Sequence, residues 1–137
     1  LSAQTAPTAF FSKTYDETMD LLVEVRDYVA HDQKRDRDEL APNVGALLCC
    51  EAMRVTARLT QVMAWLLAQK AIHAGELTTQ QVVAQNGPLA EIAICMAQEG
   101  NEQVGFLPQY FRDLTERSRR LYLRVARLDE MVRRNLG

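Results

Sequence analysis

Leu48, Ala52, Val55, Leu59, Val62, Leu66, Gln69 and His73 recur at alternating spacings of four and three without a slip. A repeat of 3.5 residues places all eight on one stripe of an α-helix and scatters them over both faces of a strand. Gly45 is the only Gly or Pro between Pro42 and Ala74, so one helix of roughly 50 Å follows at 1.5 Å per residue. Pro42 suits its first turn, and Gly75 suits the left-handed residue beyond its end. Two further stretches keep the same rule. Phe11, Tyr15, Thr18, Leu22, Val25 and Val29 form the first, with Thr14 and Glu17 spaced as a capping box. Leu107, Phe111, Leu114, Ser118, Leu121, Val125, Leu128 and Val132 form the other, with Pro108 placed to open the helix. The expectation is an all-α fold, an antiparallel three-helix bundle in one domain over residues 1–137. Its helices fall near residues 12–30, 42–74 and 108–135.

The connections are unequal. Residues 31–39 carry mixed charge without an apolar period and read as a solvated loop or a frayed helix end. Residues 75–107 form a long, partly helical connection. There Thr78 and Gln81 can cap a short helix, Gln80–Ala84, which Asn86-Gly87-Pro88 breaks. Leu89–Ala97 is apolar enough for one more short helix, and Gly100–Gly105 is expected to be loose. A connection of that length is functional or mobile.

Composition excludes several classes. At 137 residues the chain fits one domain, and its 47% hydrophobic and 25% charged content is globular. The longest apolar run, Val62 to Ala68, is far short of the roughly 20 residues that span a membrane. Residues 1–7 lack the basic-then-apolar order of a secretory signal. Three cysteines, two of them adjacent, fit a reducing cytoplasm better than a disulfide framework. The net charge of −2 conceals an acidic first helix and an Arg-rich third. That polarity fits rim pairing between helices, or a basic stripe for an acidic partner or nucleic acid. Nucleic-acid domains are usually basic overall, and this chain is not.

No reaction centre can be read from the residues. With two histidines, no Glu-x-x-His and no Cys-x-x-Cys, neither a di-iron nor a zinc set is spelled out. Adjacent Cys49 and Cys50 point to different sides of a helix. His73 suits the helix-terminal carbonyls. No glycine-rich phosphate loop occurs, and Ser118 lies on the apolar stripe, where a small side chain lets helices approach. Asp16, Glu17, Asp20, Glu24 and Asp27 resemble the carboxylate clusters of all-helical nucleotide hydrolases, although a solvated or salt-bridged face explains them as well. The expectation is no catalytic residue, no metal and no cofactor.

What remains is surface. Cys49, Met53, Met63 and Leu67 widen the apolar stripe of the second helix on one flank, and Trp65 and Ile72 widen it on the other. So broad a face needs a second cover, supplied by residues 75–107 or by a second copy, and a homodimer is expected across Cys49, Met53, Met63 and Leu67. Arg54 and Arg58 on the same helix are expected to pair with acids of the first helix or with Asp129 and Glu130; the alternative is a partly buried anion-recognition pair. On the third helix, Arg117 and Arg124 flank the seam and suit the acidic first helix. Arg112, Arg119 and Arg133 make one outer row and Arg120, Arg127 and Arg134 the next. Of these, Arg119, Arg120 and Arg127 are the candidates for recruiting an acidic protein partner.

Three segments carry a resemblance. The string Arg54 to Ala71, followed by Ala74-Gly75-Glu76, resembles the alphaproteobacterial family known as regulator of CtrA degradation. Thr8 to Glu17 is similar to that family's first motif, and Ser118 to Met131 to its third helix. The resemblance implies a non-enzymatic, dimeric three-helix adaptor that helps deliver cell-cycle regulators such as CtrA to the ClpXP protease. It implies work alongside a receiver-like adaptor and, for CtrA, a cyclic-di-GMP-binding adaptor. It further implies protein substrates, a cytoplasmic place with recruitment to a cell pole, and a flexible tail after the third helix; the sequence here ends at Gly137. No membrane partner is implied. An Arg-rich dimer on nucleic acid and an all-α nucleotide hydrolase are the alternatives.

Overall fold

The computed structural model describes residues 2–95 and 102–136, with side chains from Phe10 onward. The described residues form five α-helices and three 3₁₀ turns, without a strand. The helices are α1 (Ser2–His31), α2 (Gln33–Glu39), α3 (Pro42–His73), α4 (Thr79–Gln85) and α5 (Gln109–Arg134). The turns are Leu89–Glu91, Ala93–Cys95 and Glu102–Phe106. The chain is all-α, as its periodicity predicts.

One apolar core is shared by α1, α3 and α5. The stripe on α3 is buried from Leu48 through Gln69, while His73, in the last turn, is exposed. The stripe that leads into α5 is buried from Leu107 through Val125. On α1 the register is shifted: Thr14, Thr18, Leu21, Val25 and Tyr28 are buried, Leu22 is half-buried and Val29 is exposed. Tyr28 displaces Val29 because its ring packs at 5.4 Å from that of Phe111 while its hydroxyl donates to Asp36 Oδ2 at 2.8 Å. An aromatic body with a satisfied polar tip buries more surface there than a valine.

Local chemistry sets the helix ends. At the end of α3, Gly75 has φ 79°, its N–H bonds to Ile72 O, and the Glu76 N–H bonds to Ala71 O. That pair of bonds is the Schellman arrangement, which favours glycine at the left-handed position. Thr78 and Gln81 form the expected reciprocal capping box of α4. Thr14, in contrast, lies inside α1, where its carbonyl accepts from Thr18 Oγ1, so it caps nothing.

Four expectations are corrected. Residues expected as a solvated loop or a frayed helix end between the first two long helices form a helix of their own, α2, which packs so closely on α3 that a Cβ at Gly45 would meet Arg37 Cγ at 3.0 Å. The helix expected over Leu89–Ala97 is instead two 3₁₀ turns up to Cys95; residues 96 and 97 lie outside the described residues. Gly100–Gly105, expected to be loose, is a 3₁₀ turn from Glu102; residues 100 and 101 lie outside the described residues. The fourth correction concerns direction. α1 runs antiparallel to α5, since Glu24 meets Arg117 and Glu17 meets Arg124. It also runs antiparallel to α3, with Phe11 against Trp65. But α3 and α5 run the same way, because Arg58 reaches Ser118 and Trp65 reaches Asp129. The fully antiparallel arrangement fails on that pair. Residues 75–95 carry the chain back along α3 before α5 starts.

Candidate functional site

The returning segment is latched by polar side chains that the apolar period does not reveal. Asp129 is buried on α5; its Oδ1 accepts from Trp65 Nε1 at 3.0 Å, and its Oδ2 accepts from the Leu89 N–H at 3.1 Å and from Arg133 Nε at 2.9 Å. Arg133 also donates to the carbonyls of Asn86 and Gly87. The Tyr122 hydroxyl donates to Leu89 O. Farther along, Arg54 donates to Ile94 O at 2.9 Å, and Arg58 Nε donates to Cys95 O at 2.6 Å.

Among the described residues Arg54 and Arg58 therefore meet partners other than the expected acids of the first helix, Asp129 and Glu130. Arg54 bonds Glu51 on its own helix, and Arg58, only 1% exposed, also donates to Thr115 O and Ser118 Oγ. One Arg58 nitrogen, Nη2, is buried without a hydrogen-bond partner among the described residues. Burial lowers the proton affinity of Arg58 and raises that of the Cys95 thiol and the Tyr122 hydroxyl. A thiol and a phenol pushed that way stay protonated at neutral pH and are poor nucleophiles. Among the described residues no three His, Cys, Asp or Glu side chains converge as a metal would need.

The Arg-rich helix divides into spent and unspent charge. Arg117 and Arg124 meet Glu24 and Glu17 of α1. The Arg117 bond holds the Glu24 carboxyl below its ordinary range. Arg119 and Arg120 both bond to Glu116, and Arg127 is exposed with no ion pair among the described residues. Arg133 leaves its expected outer row and turns inward to the latch, while Arg112 donates to Leu107 O. Asp16 and Asp20 are exposed on α1 beside Arg120 and Arg124.

The apolar flanks of α3 also part company. Trp65 is covered by the latch, with Phe11 edge-on at 5.8 Å. On the opposite flank Met53 is 65% and Leu67 50% exposed, Met63 is half-buried, and half-buried Cys49 accepts a weak bond from Gln33. No described helix is long and apolar enough to cross a membrane.

These features define an all-helical protein whose polar side chains hold its own connection in place and whose unspent apolar and basic surface lies on two other faces. The chain belongs to the family described as "Protein of unknown function (DUF1465)", whose model matches residues 2–136. It is RcdA-like: it is 34% identical to RcdA from Caulobacter crescentus CB15, over 89% of each chain, with a TM-score of 0.65. No curated protein matches it.

Proposed function

We propose that this chain is a non-enzymatic adaptor that helps deliver cell-cycle regulators, the response regulator CtrA among them, to the ClpXP protease in the cytoplasm. The observation that carries the reading is the 34% identity to RcdA over 89% of both chains. The physics of a tether supports it. A tether acts by raising the local concentration of its cargo, which asks for a rigid scaffold with exposed anchors and for no reactive group. The latch on residues 86–95 supplies rigidity.

In this reading the chain is one three-helix domain that works as a homodimer through Cys49, Met53, Met63 and Leu67. Arg119, Arg120 and Arg127 receive an acidic partner, either a receiver-like adaptor or a substrate. A cyclic-di-GMP-binding adaptor joins for CtrA. The test is a reconstituted degradation assay with ClpXP, the receiver-like adaptor, the cyclic-di-GMP-binding protein and CtrA, with and without this chain. Faster loss of CtrA in its presence is expected; an unchanged rate overturns the reading.

A further inference from the structure

A cavity of about 280 Å³ opens between α3 and the segment that returns from α4. Trp65, Ala64, Ala68, Val82 and Ile92 give it apolar walls. Gln61 from α3 and Gln85 from α4 add side-chain amides, neither with a hydrogen-bond partner among the described residues. The lining also contains Asp129 and Arg133, but their charges are spent on each other, on the Trp65 indole and on the main chain of residues 86–89. The hollow is thus electrically neutral and partly apolar.

We propose that this cavity anchors one uncharged apolar side chain, of leucine to phenylalanine size, presented by an exposed peptide segment of a protein partner. The volume admits such a side chain with part of its flanking main chain: a cavity of roughly 150 Å³ holds a benzene, and sites for drug-sized ligands begin near 300 Å³. Neutrality excludes a charged side chain, which would lose its hydration and meet no free counter-charge. The two amides match the donors and acceptors of a peptide main chain on either side of the anchor. Around α3 Trp65 stands about 200° from Leu67 and Ala64 only about 60°, so the cavity floor faces away from the flank assigned to the homodimer while its rim borders that flank. That the partner is a protein rests on the adaptor reading; the side-chain preference does not.

Trp65 is the single tryptophan of the chain and reports on its own cavity. The probes are acetylated, amidated tripeptides Ser-X-Ser with X as Leu, Phe, Lys or Glu, and 3-methylbutan-1-ol as an apolar group without peptide bonds. Tryptophan emission and backbone amide shifts over residues 61–68 and 82–89 are followed up to about 10 mM probe, the range of a single weak anchor. Saturable shifts are expected with Leu and Phe, at least about tenfold tighter than with Lys, Glu or the alcohol. Ala68→Leu, which fills the cavity, and Ala64→Leu, at an exposed position, are each expected to weaken Leu-peptide binding about tenfold with melting unchanged. No saturable shift, equal binding of the charged peptides or of the alcohol, or undiminished binding by both folded variants overturns the site. If CtrA delivery persists while the peptides fail, the site falls and the adaptor reading stands. Peptide binding without delivery has the opposite meaning.

Discussion

Trp65 and Asp129 join two helices that run in the same direction: the indole N–H of α3 donates to the buried carboxylate of α5 at 3.0 Å. The same carboxylate accepts from the Leu89 N–H and from Arg133, so three parts of the chain meet on one side chain. Asp129→Ala leaves an indole N–H, an amide N–H and a guanidinium without their acceptor. A cost of about 3 kcal/mol is expected, the usual size for one partner lost from a buried charged network. Asp129→Asn keeps one acceptor oxygen and is expected to cost less. Urea midpoints order the three proteins, and a red shift of Trp65 emission marks the opened latch. Equal midpoints for parent and Asp129→Ala would contradict this account of the fold.

The Glu24–Arg117 contact, at 2.5 Å, ties α1 to α5 and has a pH signature. Its hydrogen bond lowers the Glu24 pKa from the ordinary 4.5, with burial opposing and the Tyr110 hydrogen bond assisting. A carboxyl whose folded pKa is depressed contributes stability that is fully present above the unfolded value and is lost as pH falls through the folded one. The pair is partly exposed, so its worth stays below about 1 kcal/mol after screening. Melting temperature is therefore expected to fall more steeply below pH 4.5 in the parent than in Glu24→Gln. Parallel curves for the two proteins would show that the bond adds nothing to pairing of the helices.

For the basic surface of α5, the triple change of Arg119, Arg120 and Arg127 to Ala is expected to slow delivery of substrate, most visibly at low salt. Rim charges act mainly on encounter rate and specificity. Arg119 and Arg120 share Glu116, which already offsets part of their charge, so Arg127→Ala alone is expected to account for the largest single share. Helicity by circular dichroism controls for folding. A folded triple variant that delivers as fast as the parent at low salt removes this surface from the proposal.

How far the sequence is legible depends on which residues carry the period. The α3 stripe from Leu48 to Gln69 can be read directly, because apolar side chains every 3.5 residues have only one way to share a core. The latch is hidden in the same string. Val44, Glu51, Arg58 and Trp65 stand seven residues apart and are all buried, but two of the four are charged, and a reading that counts only apolar residues turns that column outward. Asp129 is hidden for the same reason. The direction of α5 is not local information at all. A connection spanning residues 75–107 is long enough to start α5 at either end of α3, and the choice is made by Asp129, Tyr122 and Arg133 gripping residues 86–89.

The exposed flank of α3 allows a cleaner test of the proposed homodimer than its half-buried part. Met63 is half-buried, so Met63→Glu would disturb the monomer as well as any partner. Met53, at 65% exposed, leaves room for a carboxylate in the isolated chain, which should fold with little change. In a dimer packed on Cys49, Met53, Met63 and Leu67, the same carboxylate would sit in an apolar contact without a partner, a cost of a few kcal/mol counted once on each side of the two-fold axis. Light scattering at about tens of micromolar chain is expected to give a dimer for the parent and a monomer for Met53→Glu, with matching circular dichroism. Leu67→Glu, also on the exposed flank, should act in the same direction. A parent that scatters as a monomer, or two variants that stay dimeric, would move the interface away from this face.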